Sequence, residues 1–104
     1  MKKTVTCLLL SLALSACAIA THKELSATGG SKADGIIELS FEHTEAEKPT
    51  YDESKNLAMA KQRCNAWGYS EAEAFGGVKR QCNQMGGWSG CARYLVTKQY
   101  QCTN

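Results

Sequence analysis

The chain has 104 residues and lacks several of the patterns that would give away an activity. It contains no C-x-x-C pair, so neither a thioredoxin-like redox motif nor the close cysteine pair of most zinc sites is present. Nothing matches the nucleophile elbow G-x-S-x-G. Histidine occurs twice, as His22 and His43, each without a nearby ligand partner in sequence, so both are expected in solvent rather than on a metal. The formal charge of +2 is carried entirely by Lys2 and Lys3 at the start of the chain. Without those two the charge is balanced, which argues against nucleic acid as a partner. No apolar run approaches the roughly 20 residues of a membrane span. Proline appears once, at Pro49, and there is no internal repeat. These gaps point to no catalytic residue, no metal ligand and no cofactor, and the expectation is a protein that is not an enzyme.

What is present begins at the N-terminus. Lys2 and Lys3 precede an apolar stretch running from Val5 to Leu14. That is the n-region and h-region of a secretory signal. It ends in Leu14-Ser15-Ala16-Cys17, which resembles the lipobox of bacterial lipoproteins. Leu14 suits an apolar protease pocket, Ser15 and Ala16 are small enough to pass the cutting site, and the Cys17 thiol takes the lipid as a thioether. The expectation is a signal peptide at 1–16 and lipidation at Cys17. Acyl chains contribute about 0.8 kcal/mol per buried methylene, so several chains on one cysteine would hold the protein on the membrane. Ala18 rather than an aspartate follows the cysteine, which favours the outer membrane, facing the periplasm.

Residues 18–34 are small and polar and are expected to form, with Cys17, a flexible tether (17–34). A single domain is expected over 35–104. In GIIELSFEH, Ile37, Leu39 and Phe41 alternate with polar residues, a half-buried strand. Thr50 and Glu53 have the spacing of a helix capping box. Leu57, Ala60, Cys64 and Trp67 then mark one helical face, with Gly68 as its terminator. Tyr69–Phe75 alternates again, with Glu71 and Glu73 on one face beside Tyr69 and Phe75. Gly76-Gly77 marks a bulge or bend, and CARYLVTKQYQC forms a long last strand across from it. The predicted fold is α+β: a small β-α-β-β domain with a three-stranded mixed sheet, the last strand central, and one packed helix.

Cys64, Cys82, Cys91 and Cys102 form an even set that suits two disulfides in an oxidising compartment. Four cysteines allow three pairings. Cys82–Cys91 across the hairpin with Cys64–Cys102 between helix and sheet is preferred. The pairing of Cys91 with Cys102 needs the last strand to break, because about 36 Å of extended chain separates them. The segment GGWSG at the hairpin tip carries Trp88, with Met85 before it and Arg93 after it. Trp and Arg are enriched at binding hot spots, so these three residues are candidate partner contacts. Whether Trp88 projects outward or folds back over the Cys82–Cys91 bridge stays open.

The stretches KELSATGG, SKADGIIELSFE and AKQRCNAWGYSEAEAFGG, together with LSAC and the terminal YQC, resemble the YecR-like lipoprotein family of enteric bacteria. The resemblance implies a small lipoprotein of flagellated enterobacteria with Cys17 as its lipid site. It implies no enzymatic activity. The expected partners are the membrane, through the lipid, and an envelope protein or peptidoglycan. An inhibitor or modulator of a secreted cell-wall hydrolase, inserting GGWSG, is the alternative.

Overall fold

A computed structural model describes residues 19–104. The signal at 1–16 and the lipid site Cys17 lie outside the described residues. The elements in order are β1 (Ile19–His22), β2 (Ser26–Ser31), β3 (Ile36–Thr44), β4 (Glu47–Thr50), α1 (Glu53–Ala66), β5 (Glu71–Met85) and β6 (Cys91–Thr103). They form two sheets. One has four strands in the order β2-β3-β6-β5, and the other is the pair β1-β4.

The single three-stranded mixed sheet is therefore corrected. All neighbours in the four-stranded sheet are antiparallel, and the parallel pairing is confined to β1 and β4. The three expected strands are there, with β6 between β3 and β5. The additional strands come from the segment expected to be a tether. Residues 26–31 pair with β3, and Leu25 just before them is buried in the core. Ala27 packs against the same core. The packed region thus begins well before residue 35. Burial of Leu25 and backbone pairing outweigh a local composition that favours flexibility.

The core lies between α1 and one face of the four-stranded sheet. Ile37, Leu39, Phe41 and His43 project from alternate positions of β3, and Val96, Tyr100 and Cys102 from β6. Full burial of an aliphatic side chain such as Ile37 or Leu39 contributes about 1.5–3 kcal/mol. The helix meets them with Asn56, Ala60 and Cys64. Leu57, expected on that face, is 37% exposed. Spacing of four places Asn56, Ala60 and Cys64 in one row, and Leu57 falls to its side. On the opposite face of the sheet Ser40 Oγ shares hydrogen bonds with Thr28 Oγ1 (2.7 Å) and Thr97 Oγ1 (2.9 Å).

Both ends of α1 are closed by side chain or backbone. Asp52, not Thr50, is the N-cap, and its carboxylate accepts from the amides of Ser54 and Lys55. Those bonds hold the Asp52 carboxyl below its usual range, the Ser54 hydroxyl contributing most. Thr50 instead donates to Thr21 O across the β1-β4 pair at 3.1 Å. At the other end Gly68 has φ +93°, and the amides of Gly68 and Tyr69 donate to Asn65 O and Cys64 O. This is the Schellman closure that a glycine at that position permits.

Two disulfides brace the fold, Cys64–Cys102 joining α1 to β6 and Cys82–Cys91 joining β5 to β6. A further link ties the small sheet together. Glu47 accepts from Lys23 Nζ (2.6 Å), Thr44 N (3.0 Å) and Thr21 Oγ1 (2.9 Å). The Lys23 bond is the main cause that brings the Glu47 carboxyl down to about 2.

Candidate functional site

The β5–β6 hairpin extends past the helix, and its turn is GGWSG. Trp88 is 76% exposed and Met85 77% exposed. Trp88 does not cover the Cys82–Cys91 bridge. It stands in solvent on a tip that is fixed from three directions. The disulfide closes the base, with Met85 opposite Cys91 in the register. Gly86 N donates to Gly90 O across the turn. The third restraint comes from Glu45, in the turn between β3 and β4.

Glu45 accepts from Trp88 N at 3.1 Å, from Ser89 N at 2.9 Å and from Ser89 Oγ at 2.5 Å. Burial opposes ionisation of this carboxyl, but the bonds from Ser89 and Trp88 outweigh it and lower the pKa. Gly87 shows how closely the parts fit. Its φ is +73°, and a Cβ there would lie 1.9 Å from Glu45 Oε1. Only glycine satisfies both the left-handed backbone and the space held by the carboxylate. Glu45 is 43 positions from Trp88, and no local pattern in the sequence announces the contact.

Arg93 is placed differently from Trp88 and Met85. It lies within β6 opposite Thr44 and ion-pairs with Glu42 at 3.6 Å. It belongs to the sheet surface below the tip. Glu71 is likewise engaged, by Lys61 at 3.3 Å. His22 sits in β1, 3.7 Å from Glu24. His43, expected to be exposed, is buried, only 5% exposed, and stacks on Tyr94 with centroids 5.2 Å apart. It continues the alternation of Ile37, Leu39 and Phe41, which carries it to the core face.

Among the described residues no three His, Cys, Asp or Glu side chains converge on a metal-sized site. No described helix is long and apolar enough to cross a membrane. All four described cysteines are bridged.

Compared with known protein families, residues 24–103 match the model of the YecR-like lipoproteins. The chain belongs to the YecR-like lipoprotein family. The match begins just ahead of β2 and ends at the last residue of β6, so the whole four-stranded sheet is family structure. Membership in a lipoprotein family associates the chain with the cell envelope. No curated protein matches the chain.

Proposed function

We propose that this YecR-like lipoprotein is a non-enzymatic binding module of the cell envelope. In this reading residues 1–16 are removed as a signal peptide and lipid on Cys17 anchors the rest to the outer membrane, facing the periplasm. The hairpin tip engages an envelope protein or the peptidoglycan, near the flagellar apparatus. One observation carries the reading: a tryptophan and a methionine stand exposed on a tip held rigid by a disulfide and a carboxylate clamp. A large aromatic in solvent loses contacts it would keep if folded back, and preorganisation lowers the ordering cost of binding. Tryptophan is also the residue type most enriched among binding hot spots.

A photo-crosslinking residue at position 85, in cells carrying the intact lipoprotein, tests this. One dominant adduct that is lost with Trp88→Ala supports it. Equal crosslinking with and without Trp88 counts against it.

The rigid projecting tip also fits a second reading, inhibition of a secreted cell-wall hydrolase by insertion of GGWSG into its cleft. Purified protein should then slow a muralytic enzyme, and Trp88→Ala should abolish the effect. Inhibition undiminished by Trp88→Ala would remove the tip from that role.

A further inference from the structure

Away from the tip, a cavity of about 330 Å³ opens between β3, β4 and the β5–β6 hairpin. Phe41, Pro49, Tyr51 and Val96 supply apolar lining, and His43 and Arg80 supply polar atoms. The volume is at the lower end of the range for small-ligand sites, roughly 300–1,000 Å³.

Arg80 is positioned without a carboxylate. Its guanidinium carbon lies 4.7 Å from the centroid of the Tyr94 ring. Its Nη2 donates to His43 Nε2 at 3.3 Å. The direction of that bond follows from the other side of the imidazole. His43 Nδ1 faces Thr44 O at 2.8 Å, and a carbonyl only accepts. Nδ1 therefore carries the hydrogen and Nε2 offers its lone pair to Arg80. The buried, stacked imidazole thus orients the guanidinium. A guanidinium has five N–H donors in a planar fork, so donors remain after the bond to His43. Among the described residues Arg80 makes no ion pair.

The other charges around the cavity are already matched. Glu47 lines it, but Lys23 is 2.6 Å away and neutralises it. Lys98, 4.9 Å from the Tyr51 centroid, is bonded to Glu53. One positive charge without a partner is left beside aromatic and aliphatic walls. A phosphate dianion would meet a single cation and apolar lining, whereas a monovalent carboxylate on an apolar group matches both features.

We propose that this cavity binds the terminal carboxylate of a short peptide, with Arg80 donating to the carboxylate and the last side chain against Phe41, Tyr51 and Val96. His43 is a positioning residue for Arg80. The proposal stands independently of the tip.

The test titrates N-acetyl-alanyl-alanine, in its L,L and D,D forms, into the full chain held in detergent. The C-terminal amide of each form is the control. Nitrogen-15 chemical shifts of the backbone and of Arg80 Nε report binding. The expected result is saturable shifts at Arg80, His43 and Val96 with at least one acid and none with the amides. Preference for the L,L form points to a protein C-terminus as the natural source, and for the D,D form to a cell-wall stem peptide. Arg80→Gln should weaken binding by about tenfold or more, which is about 1.4 kcal/mol. Arg80→Lys should fall between, because a lysine lacks the planar fork. Arg80 is exposed, and unchanged shifts elsewhere verify that both variants fold. Trp88→Ala should bind the acid as the parent does. Amides that bind as well as acids, unaltered affinity in Arg80→Gln, or no saturable shift with either acid would each overturn the assignment.

Discussion

The two ends of the β5–β6 hairpin are stabilised in different ways. At the helix-covered end Ile37, Leu39, Tyr100 and Cys64 are almost fully buried, and the bridge Cys64–Cys102 lies within that core. At the tip, β5 residues 80–85 are all exposed, and order comes from the bridge Cys82–Cys91 and the Glu45 clamp. One end is held by burial, which is non-directional and distributed over many side chains. The other is held by a few directional links, any of which a single substitution removes. The contrast suits a surface that must be stiff yet cannot bury its own aromatic.

Removing the bridges separates the two ends most sharply. The cysteines of Cys64–Cys102 are 38 positions apart and those of Cys82–Cys91 only 9. Loop closure alone gives about 4 kcal/mol for the longer and about 3 kcal/mol for the shorter. Loss of the first also leaves two small side chains fully buried without their bond. The double variant Cys64→Ala/Cys102→Ala should therefore lose cooperative unfolding or fall far in midpoint in a denaturant titration. Cys82→Ala/Cys91→Ala should keep a cooperative transition at a lower midpoint. Its amide exchange should accelerate chiefly over residues 82–91. Equal losses from both pairs would erase the distinction.

Gly87→Ala acts on the tip alone. The added methyl collides with Glu45 at a backbone angle that alanine resists, a strain of roughly 1–3 kcal/mol. Since the tip contributes nothing to the core, the outcome is local. Amide protection at Trp88 and Ser89 should vanish while the thermal midpoint moves only slightly. Glu45→Ala should reproduce the pattern without the steric clash. A large drop in midpoint for either would mean that the tip and core unfold as one unit.

The parts legible in the sequence are those with a local period. Alternation in GIIELSFEH, the helical row ending in Gly68, the strands flanking GGWSG and the four cysteines all depend on neighbours within a few positions. The illegible parts depend on distance. The strand SATGGS has glycine and small residues and becomes a strand only because β3 offers an unpaired edge and Leu25 finds the core. Asp52 displaces Thr50 as the cap because Thr50 is claimed by β1. The Glu45 clamp and the bond between Arg80 and His43 join residues 43 or 44 and 37 positions apart, with no spacing rule to announce them.

Acid should separate two carboxylates two positions apart, Glu45 in the β3–β4 turn and Glu47 at the start of β4. Both Glu45 and Glu47 have folded pKa values below the unfolded value, so each stabilises above that value and its contribution is lost as pH falls through the folded one. For Glu47 the window runs from 4.5 down to about 2. The β1-β4 pair should thus keep its Lys23–Glu47 link at pH 3. Glu45 is lowered as well, through its bonds to Ser89 and Trp88. Titration followed by the Trp88 and Ser89 amide shifts should show the tip loosening as Glu45 takes up its proton. The shifts of Thr44, bonded to Glu47, should move at lower pH. A single shared midpoint would mean that the tip and the small sheet respond to acid as one body.

The smallest effect is expected at the one polar flaw in the well-packed end. Asn56 is only 4% exposed, and its Nδ2 makes no hydrogen bond of good geometry, although the side chain lies close enough to Glu53 and Tyr100 to act on both. An unpaired buried donor costs about 1–3 kcal/mol relative to a paired one. Replacing the amide with an apolar group of the same branching, though somewhat larger, removes that cost, so Asn56→Leu should be neutral or raise stability by up to about 1 kcal/mol. Glu53, one turn from the flaw, limits the gain. Burial raises its pKa, but its bonds to Lys98 and Tyr100 prevail and hold the carboxylate ionised, and a bulkier neighbour must leave them intact. Denaturant midpoints of Asn56→Leu and Asn56→Ala separate the two contributions, since alanine removes the same orphan donor but opens a void. A loss with leucine as large as with alanine would show that the amide is satisfied in solution and that the covered end of the sheet tolerates no exchange at this position.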